Sequence, residues 1–520
     1  MIIDARTVPS GTIIETDLCI VGAGAAGITL AREFIDSPLR VTLLESGGMQ
    51  YEQDTQQLYE GQSVGLTFDD LTVCRLRYFG GTTNHWGGYC LPLEAIDFEQ
   101  REDFPYHGWP FPKSQLDPWY QRAQDVCKLG PFDYRPSTWG IAAKTVPPPF
   151  SGPHFAPRLL QENPVRFGPD YAPELRRAPR VTVYLYANAF HFDGGETDSE
   201  IQQLSVKTLS GDDLTVRARI YVLATGGIEN ARLLLASGKQ GGNGLGNAHD
   251  LVGRFFMVHL VYSAGTVVPA DPYMNFDFLT KGTWVPGKFR IDPLIGLSTS
   301  SMHDLHLPNI IMGWIFKLSP VVGAVDALKR LTHGEGPGGS ALTDLSRVIG
   351  NLEGVADFAV RKALFGQGIP VESLHVWCNS EQQPNPQSRV SLGSKRDHLG
   401  MPEVVVDWQL VAEDKSKAAA TVRLLGTEVG RAGFGRLRSE FGEDDAWPKD
   451  FQGNQHHMGT TRMHRDPAQG VVDENCRLHT VANLYVAGSS VFPTGGASNP
   501  TLTIVALALR LADHLKQQLA

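Results

Sequence analysis

Three glycines and one glutamate near the N-terminus have the residue types and the spacing that dinucleotide binding requires. Gly22, Gly24 and Gly27 form the pattern GxGxxG, and Glu45 lies 23 residues after Gly22. The first glycine allows a tight turn, the second lets the backbone approach a pyrophosphate, and the third allows a helix to pack closely on a strand. A glutamate at this distance can accept hydrogen bonds from ribose hydroxyls. The segment therefore predicts an adenine dinucleotide, which is either NAD or FAD.

The residues around this glycine loop predict the elements that would position it. An apolar run at residues 17–21 precedes the loop, residues 28–35 have helical spacing, and a second apolar run at residues 41–45 ends at the glutamate. Unpaired N–H groups and the dipole at the start of such a helix attract phosphate. The chain therefore opens with a βαβ unit, and its predicted fold class is α/β at the start and α+β overall.

The composition excludes several classes of function. The chain has 520 residues and a net charge of −10, and its Lys and Arg residues are scattered. Because nucleic-acid binding requires a basic patch or stripe, we expect no nucleic-acid partner. The six cysteines occur singly, without the CxxC or CxxCH spacings of zinc sites, iron–sulfur clusters or haem attachment. We therefore expect a small-molecule ligand and no protein-bound metal.

The N-terminus and one apolar stretch bear on location. Residues 1–17 contain neither the basic segment nor the apolar core of a signal peptide, so we expect a cytoplasmic protein. The stretch at residues 307–328 contains Lys317, Asp326 and two prolines, whereas a transmembrane helix needs about 20 apolar residues without such breaks. We interpret it as a buried strand followed by a helix. A patch that binds a membrane surface is the alternative.

Changes in composition along the chain predict two domains. Residues 60–180 are rich in Gly, Pro and aromatics and are expected to form loops that wrap the cofactor. Residues 204–209 and 214–218 predict a hairpin, and residues 220–224 predict a buried strand. Further strands are expected to share one antiparallel sheet, near residues 371–378, 388–392 and 403–408. We predict a Rossmann-like nucleotide-binding domain of residues 1–260 and 453–520, interrupted by a substrate-binding domain of residues 261–452.

Four further segments, together with residues 15–27, resemble the glucose–methanol–choline (GMC) oxidoreductases. The segments are FGGTTNHWGG at 79–88, ATGGIENARLLLAS at 224–237, GNQHHMGTTRM at 453–463 and NLYVAGSSVFPTGGASNPTLT at 483–503. The HWGG and NPTLT variants are closer to pyranose-oxidase-like sugar oxidases and dehydrogenases. The resemblance implies FAD rather than NAD, and a Rossmann-like FAD-binding domain with an inserted substrate domain.

The resemblance also implies two catalytic residues near the C-terminus. Alcohol oxidation needs a base for the hydroxyl proton and an acceptor for the hydride, which in a flavoenzyme is flavin N5. The motif around His456 implies that this imidazole is the base, with the adjacent His457 as the alternative. Asn499 would hold the substrate oxygen by a hydrogen bond, since an amide cannot act as a base. Packing for His456 and helix capping for Asn499 are the alternatives without catalysis.

His85 raises the question of how FAD is held. It lies where choline-oxidase-like and pyranose-oxidase-like enzymes carry a histidine bonded covalently to the flavin, but the ring could also pack against the dimethylbenzene edge without a bond. The same resemblance implies further contacts to the pyrophosphate, isoalloxazine, adenine and second phosphate, or at the start of the last helix, at Gly80, Gly81, Asn84, Gly87, Ala189, Gly488, Ser489 and Pro500.

The function expected from these features is FAD-dependent oxidation of an alcohol, in a sugar, a glycoside or a polyol. Reduced FAD would pass its electrons to oxygen, a quinone or another acceptor. The main alternative is a non-redox lyase on the same scaffold, similar to hydroxynitrile lyases. Photodecarboxylase-like chemistry and an NAD-dependent dehydrogenase are further alternatives. The sequence leaves open the substrate, the acceptor and the oligomeric state.

Overall fold

The computed structural model describes most of the chain and shows a mixed α/β fold. The described residues are 1–139, 150, 152–163, 165–239, 242–274, 276, 279, 282–285, 289–333, 341–365, 370–442, 444 and 446–520. Within them the strands are β1 (Ile2–Asp4), β2 (Ile13–Val21), β3 (Val41–Leu44), β4 (Gly61–Gly65), β5 (Tyr89–Cys90), β6 (Phe155–Glu162), β7 (Val181–Leu185), β8 (Asn188–Asp193), β9 (Gln203–Lys207), β10 (Asp213–Leu223), β11 (Leu260–Pro269), β12 (Thr283–Val285), β13 (Phe289–Leu297), β14 (Ile310–Leu318), β15 (Val371–Ser380), β16 (Arg389–Arg396), β17 (Pro402–Trp408), β18 (Gly435–Ser439), β19 (Gln452–Gly453) and β20 (Leu484–Val486).

The α-helices of the described residues lie between and around these strands. They are α1 (Ala25–Glu33), α2 (Gln53–Gln56), α3 (Asp117–Val126), α4 (Phe167–Arg177), α5 (Glu229–Leu235), α6 (Thr299–Asp304), α7 (Pro320–His333), α8 (Ala341–Gly350), α9 (Leu352–Phe365), α10 (Ala412–Arg431) and α11 (Thr501–Leu519). No helix in the described part of the chain is both long enough and apolar enough to cross a membrane.

The first sheet is built around the glycine loop. Within the described residues it has eight strands in the order β1-β7-β3-β2-β10-β9-β8, and β20 pairs with β10 beside this path. Its central strands, β7, β3, β2 and β10, run parallel. All four residues of β3 are buried, as are the last four of β2, which is typical of a parallel sheet covered on both faces. The predicted βαβ opening and the α/β fold class are confirmed.

Strand β10 combines two elements that the sequence predicts, the second strand of the hairpin and the strand at 220–224. Its first half pairs antiparallel with β9, from Asp213↔Lys207 to Val216↔Leu204, so the predicted hairpin is confirmed. Its second half, however, continues without a break to Leu223 and pairs in parallel with β20. Because β2 runs alongside from Thr215 onward, one long partner keeps both halves extended. The predicted buried strand at 220–224 is confirmed over Ile220 to Leu223, as the second half of β10.

The second sheet is antiparallel throughout. Its nine strands in the described residues follow the order β18-β11-β15-β14-β13-β6-β5, with β12 beside β13 and β19 beside β11. The stretch at 307–328 supplies β14 and the start of α7, so the predicted strand followed by a helix is confirmed. Burial is confined to the first half of this strand, because Ile310 to Gly313 are buried whereas Ile315 and Leu318 are exposed.

A third, small sheet corrects one prediction. Of the three strands expected in one antiparallel sheet, only the segment near 371–378 lies in the nine-stranded sheet, as β15. The segments near 388–392 and 403–408 form β16 and β17, which pair with each other and, through β17, in parallel with β4. An exposed strand from the long loop region, β4, thus covers the edge of β17.

The sheets draw on distant parts of the chain. Strands β5 and β6 precede residue 261 yet join the antiparallel sheet, and β20 returns the chain to the first sheet near its C-terminus. The division into residues 1–260 with 453–520, and residues 261–452, stays a prediction. What matters for the site is that the motif segments from both ends of the chain meet at the first sheet.

Candidate active site

A cavity of about 620 Å³ is lined by residues from all five motif segments. Of the residues predicted from the sequence, those on its wall are Gly22, Gly24, Glu45, Gly81, His85, Gly87, Ala189, His456, the alternative base His457, Gly488, Ser489, Asn499 and Pro500. Gly27, Gly80 and Asn84 lie outside the lining. Segments that are hundreds of residues apart in the sequence therefore share one site.

The three glycines of the loop meet different surroundings. A Cβ at Gly22, where φ is +100°, would lie 2.6 Å from the carbonyl oxygen of Ala224, and a Cβ at Gly27 would lie 1.8 Å from the carbonyl oxygen of Gly22. A Cβ at Gly24 would have no described protein atom within 4 Å. Gly22 and Gly27 are therefore required by the packing of the protein itself. Gly24 instead leaves space at the cavity wall where α1 begins.

That space fits a phosphate group. The first N–H groups of an α-helix have no partners within the helix. At the N-cap of α1 stands Gly24, which has no side chain that could accept hydrogen bonds from them. Gly24, Ala25 and Ala26 all line the cavity. The N–H groups and the positive end of the helix dipole are therefore available to an anion from the cavity.

Glu45 is held by the backbone of the same loop. Its carboxylate accepts hydrogen bonds from Ala23 N at 3.0 Å and Gly47 N at 2.9 Å. Burial raises the pKa of Glu45, and these two N–H donors oppose the rise. Each carboxylate oxygen has further acceptor capacity. Since Glu45 also lines the cavity, it can accept hydrogen bonds from a bound ribose, as the sequence predicts.

Two arginines outside the set predicted from the sequence also line the cavity. Arg75 Nη1 lies 2.7 Å from Glu229 Oε1, and Arg77 Nη1 lies 3.4 Å from Glu229 Oε2. Burial alone would raise the pKa of Glu229, but Arg232, Arg75 and Arg77 lower it to about 2. The Nε–H of Arg77 is buried and has no partner among the described residues. The two guanidinium groups place positive charge beside the cavity, which fits an anionic cofactor. The sequence signal that could have identified these residues is a pair of arginines, separated by one residue, just before the FGG motif.

The loop at 79–88 divides into a supporting part and a lining part. Asn84 supports the loop, because its Nδ2 donates to Phe79 O at 2.8 Å and its Oδ1 accepts from Gly168 N at 3.0 Å. His85 is exposed at the cavity wall, where its ring meets Tyr78 edge-on with centroids 6.2 Å apart. Neither ring nitrogen of His85 has a hydrogen-bond partner within the described residues.

Two neighbouring segments hold His456 in the cavity wall. On one side Asn454 N donates to His259 O at 2.8 Å and Met458 N donates to Met257 O at 2.9 Å; on the other, Gly459 N donates to Ser489 O at 3.1 Å. A Cβ at Gly459, where φ is +87°, would lie 2.2 Å from Phe255 O. The segment carrying His456 is thus fixed between the entry to β11 and the loop after β20.

The side chains of His456 and Asn499 are brought together as predicted from the sequence. His456 Nε2 lies 3.3 Å from Asn499 Nδ2, and His456 Nδ1 lies 2.8 Å from Nδ1 of His259. Burial, followed by the His259 and His457 rings, lowers the pKa of His456 well below its ordinary value. His456 is therefore a neutral imidazole at neutral pH.

His457 has a different environment from its neighbour. Its ring stacks on Phe256 with centroids 5.9 Å apart and meets Phe68 edge-on at 5.5 Å. Burial, with a smaller effect from Arg75, lowers its pKa to about 3. Its carbonyl oxygen accepts from Ser489 Oγ at 2.6 Å. His457 also lines the cavity, and its Nε2 is buried without a hydrogen-bond partner among the described residues.

Comparisons with known proteins match part of the chain to a family. Residues 384–508 match the family described as GMC oxidoreductase. Over 97% of its length the chain is 26% identical to 6'''-hydroxyparomomycin C oxidase of Streptomyces lividus, of which it covers 92%. Over 97% of its length it is also 24% identical to 2-methyl-1,2-propanediol dehydrogenase of Mycolicibacterium austroafricanum, of which it covers 96%.

A solved structure shows the same fold. Pyridoxine 4-oxidase from Mesorbium loti superposes with a TM-score of 0.59 and 18% identity, over 96% of this chain and 99% of that one. The resemblance inferred from the motifs is confirmed, and the chain is an FAD-dependent oxidoreductase. The open space at Gly24, the carboxylate of Glu45 and the arginines Arg75 and Arg77 on the cavity wall fit this cofactor.

The contrast between Gly24 and Gly27 can be tested. We expect Gly24→Ala to fold as well as the wild type but to weaken FAD binding about tenfold or more, a loss of about 1.4 kcal/mol, because its methyl group would occupy the space beside the start of α1. We expect Gly27→Ala to lower the melting temperature of the flavin-free protein, because its Cβ would collide with Gly22 O. The flavin-to-protein absorbance ratio and thermal unfolding measure the two effects. Unchanged FAD affinity in Gly24→Ala would contradict the phosphate assignment.

Proposed function

We propose that this GMC oxidoreductase oxidises a hydroxyl group of a sugar, glycoside or polyol to the carbonyl, with His456 as the base. The observation that carries the proposal is the pair formed by His456 Nε2 and Asn499 Nδ2, 3.3 Å apart on the wall of the cavity that also contains the glycine loop. When bound, FAD supplies the acceptor for the hydride that leaves the carbinol carbon.

The state of His456 supports its role as the base. A base must be unprotonated before it can take the hydroxyl proton, and the lowered pKa of His456 keeps the ring neutral. General base catalysis by a positioned side chain typically contributes about 10²–10⁴-fold to the rate. His457 is also neutral, but its ring is packed between Phe68 and Phe256, which favours His456.

Asn499 supports positioning of the substrate. Its amide group can donate a hydrogen bond to the substrate oxygen while His456 Nε2 takes the hydrogen from that oxygen, so the two side chains fix the hydroxyl group between them. Asn499 directly precedes Pro500, which caps α11. The positive end of the helix dipole near this residue favours negative charge at the cavity wall.

The polar groups beside His456 support a substrate with several hydroxyls. Asn454 and Gln455 line the cavity, and Gln455 Nε2 donates to Asp69 Oδ2 at 2.8 Å. The amides of Asn454 and Gln455 can exchange hydrogen bonds with additional hydroxyl groups. The names of the two relatives, a hydroxyparomomycin oxidase and a propanediol dehydrogenase, also favour a polyhydroxylated substrate. No observation favours the lyase alternative.

The electron acceptor is the second half of the proposal. One relative is named an oxidase and the other a dehydrogenase. The proposal therefore keeps two kinds of electron acceptor, oxygen on the one hand and a quinone or another acceptor on the other. Oxygen uptake during turnover, compared with reduction of a quinone or a dye under anaerobic conditions, distinguishes them.

The base can be tested by flavin reduction. A panel of sugars, glycosides and polyols is first mixed anaerobically with the wild type, and the compound that bleaches the flavin absorbance fastest is used. We expect His456→Gln to retain FAD and slow reduction by about 10²–10⁴-fold, while the neighbouring control His457→Gln stays within about tenfold. Reduction of His456→Gln at the wild-type rate would contradict the assignment of His456 as the base. If no alcohol in the panel bleaches the wild-type flavin, the proposed function is wrong.

The pH dependence of flavin reduction tests the protonation state of His456. Protonation disables a base, so the rate constant falls as the pH drops through the pKa of the group. Because burial and the neighbouring rings lower that pKa, we expect the rate constant to stay flat from neutral pH to below 6.5. Stopped-flow measurements at a series of pH values give the midpoint. A midpoint at or above 6.5 would show that His456 does not have the lowered pKa.

Covalent attachment of FAD through His85 is part of the proposal that can be tested without a substrate. His85 is an exposed residue at the cavity wall. If it carries the bond, acid precipitation leaves the yellow colour in the protein pellet, and His85→Ala moves it to the supernatant. Colour in the supernatant of the wild type would mean that FAD is held by contacts alone.

A further inference from the structure

A chain of buried polar groups leads from a carboxylate to His456, and the proposed function does not use it. The chain runs from Glu381 through the peptide unit between Gly495 and Gly496 to His259, and from there to His456. Glu381 and His259 are almost fully buried, at 1% and 0% exposure. Groups at this depth are constrained in which atoms donate and which accept, so the hydrogen-bonding pattern can be worked out link by link.

Glu381 is the charged end of the chain. Its Oε1 lies 3.2 Å from Nε2 of His107, whose Nδ1 lies 2.7 Å from the carbonyl oxygen of Glu99. Since a carbonyl can only accept, Nδ1 of His107 carries a hydrogen, and Nε2 donates to the carboxylate. Burial opposes ionisation, but His107 and then Arg101 lower the pKa of Glu381 below its ordinary value. Glu381 is therefore a buried carboxylate whose charge is compensated.

One peptide unit connects Glu381 to His259. The N–H of Gly496 donates to Glu381 Oε1 at 3.1 Å, and the carbonyl of Gly495, in the same peptide unit, lies 3.3 Å from Nε2 of His259. The carbonyl again only accepts, so Nε2 of His259 carries its hydrogen. Burial lowers the pKa of His259, and the ring is neutral. Its Nδ1 is therefore an acceptor.

The state of His456 follows from that of His259. The two Nδ1 atoms are 2.8 Å apart, and since Nδ1 of His259 accepts, Nδ1 of His456 must donate. Nε2 of His456 is then the unprotonated nitrogen. An independent contact agrees, because Asn499 Nδ2 lies 3.3 Å from this atom and an amide N–H can only donate. The nitrogen that faces Asn499 is thus the one able to take a proton.

We propose that His259 is a positioning residue that fixes His456 as the Nδ1–H tautomer, with the Nε2 lone pair directed at the substrate site. The proposal rests on the proposed function, in which His456 is the base. It adds that the base works only with its hydrogen on the side away from the substrate. When Nε2 takes the substrate proton, the Nδ1–H bond to His259 is retained, and the Glu381 carboxylate favours the imidazolium through the shared peptide unit.

Two substitutions of His259 separate this role from simple packing. His259→Asn keeps an acceptor oxygen at the position of the imidazole Nδ1 and therefore preserves the bond to His456. His259→Gln instead places an amide at the position of Nε2, which preserves the contact with Gly495 and removes the acceptor. We expect anaerobic flavin reduction by the chosen polyol to slow about 10–100-fold in His259→Gln, with little change in substrate affinity, and to stay within about threefold of the wild type in His259→Asn.

A measurement that needs no turnover reads the tautomer directly. In protein labelled with ¹⁵N in its histidine rings, a protonated and an unprotonated ring nitrogen have well-separated chemical shifts, and the signals missing from His456→Gln identify His456. We expect the wild type and His259→Asn to show a hydrogen on Nδ1 and none on Nε2. We expect His259→Gln to show the hydrogen on Nε2 in a substantial fraction of molecules. This measurement on the wild type stands even if a variant does not fold.

The outcomes distinguish the two proposals. Equal reduction rates in His259→Gln and His259→Asn, or a hydrogen on Nε2 of His456 in the wild type, would overturn the role of His259. If His456→Gln is slow while His259→Gln is fast, only the positioning role fails. If His456→Gln is reduced at the wild-type rate, the base assignment of the proposed function fails, whatever the tautomer.

Discussion

The parallel register of β2, β10 and β20 fixes where the candidate active site lies. Val21 pairs with Leu223, and Leu223 pairs with Val486, so three strands end side by side. The glycine loop, the ATGG segment and the GSS segment follow these strand ends directly. Ligands of parallel α/β sheets bind beyond the carboxyl ends of the strands. Three of the motifs line one cavity because a single hydrogen-bonding pattern aligns the strands before them.

The pair formed by His456 and Asn499 depends on the contact between this edge and the antiparallel sheet. His456 lies on a segment that bonds to the residues before and within β11, while Asn499 lies at the start of α11, after β20. Neither sheet alone would bring the two side chains within 3.3 Å. The bond from Gly459 N to Ser489 O joins the two segments, and the clash that a Cβ at Gly459 would have with Phe255 O explains why a glycine follows the histidines. The glycine loop and the segment that carries the proposed base, His456, are therefore supported by different parts of the fold and meet at the cavity.

Local patterns predicted the parts of the site that are encoded locally. The glycine loop, Glu45 and the strand before each motif are adjacent in sequence, so spacing was sufficient. Pairing between distant segments was not predictable in this way. The continuity of β10 and the pairing of β17 with β4 depend on partners far along the chain. His259 stands alone in an apolar run, and only the fold shows that it meets His456. Arg75 and Arg77 likewise could not be identified from spacing, because their partner Glu229 lies more than 150 residues later.

The buried carboxyl groups of Asp97 and Glu381 show how the site can keep the proposed base, His456, neutral beside a buried charge. Asp97 and Glu381 are both buried and both accept hydrogen bonds from Asn309, but the His107 ring lies against Glu381. Burial, followed by the neighbouring carboxylates Glu381 and Glu94, raises the pKa of Asp97 to about 8, so it is protonated at neutral pH. Glu381 has His107 and keeps its charge. Two ionised carboxylates would favour a proton on His259, whose Nδ1 would then donate to Nδ1 of His456 instead of accepting from it. One compensated carboxylate, acting through a peptide unit, can orient the rings and still leave His456 unprotonated.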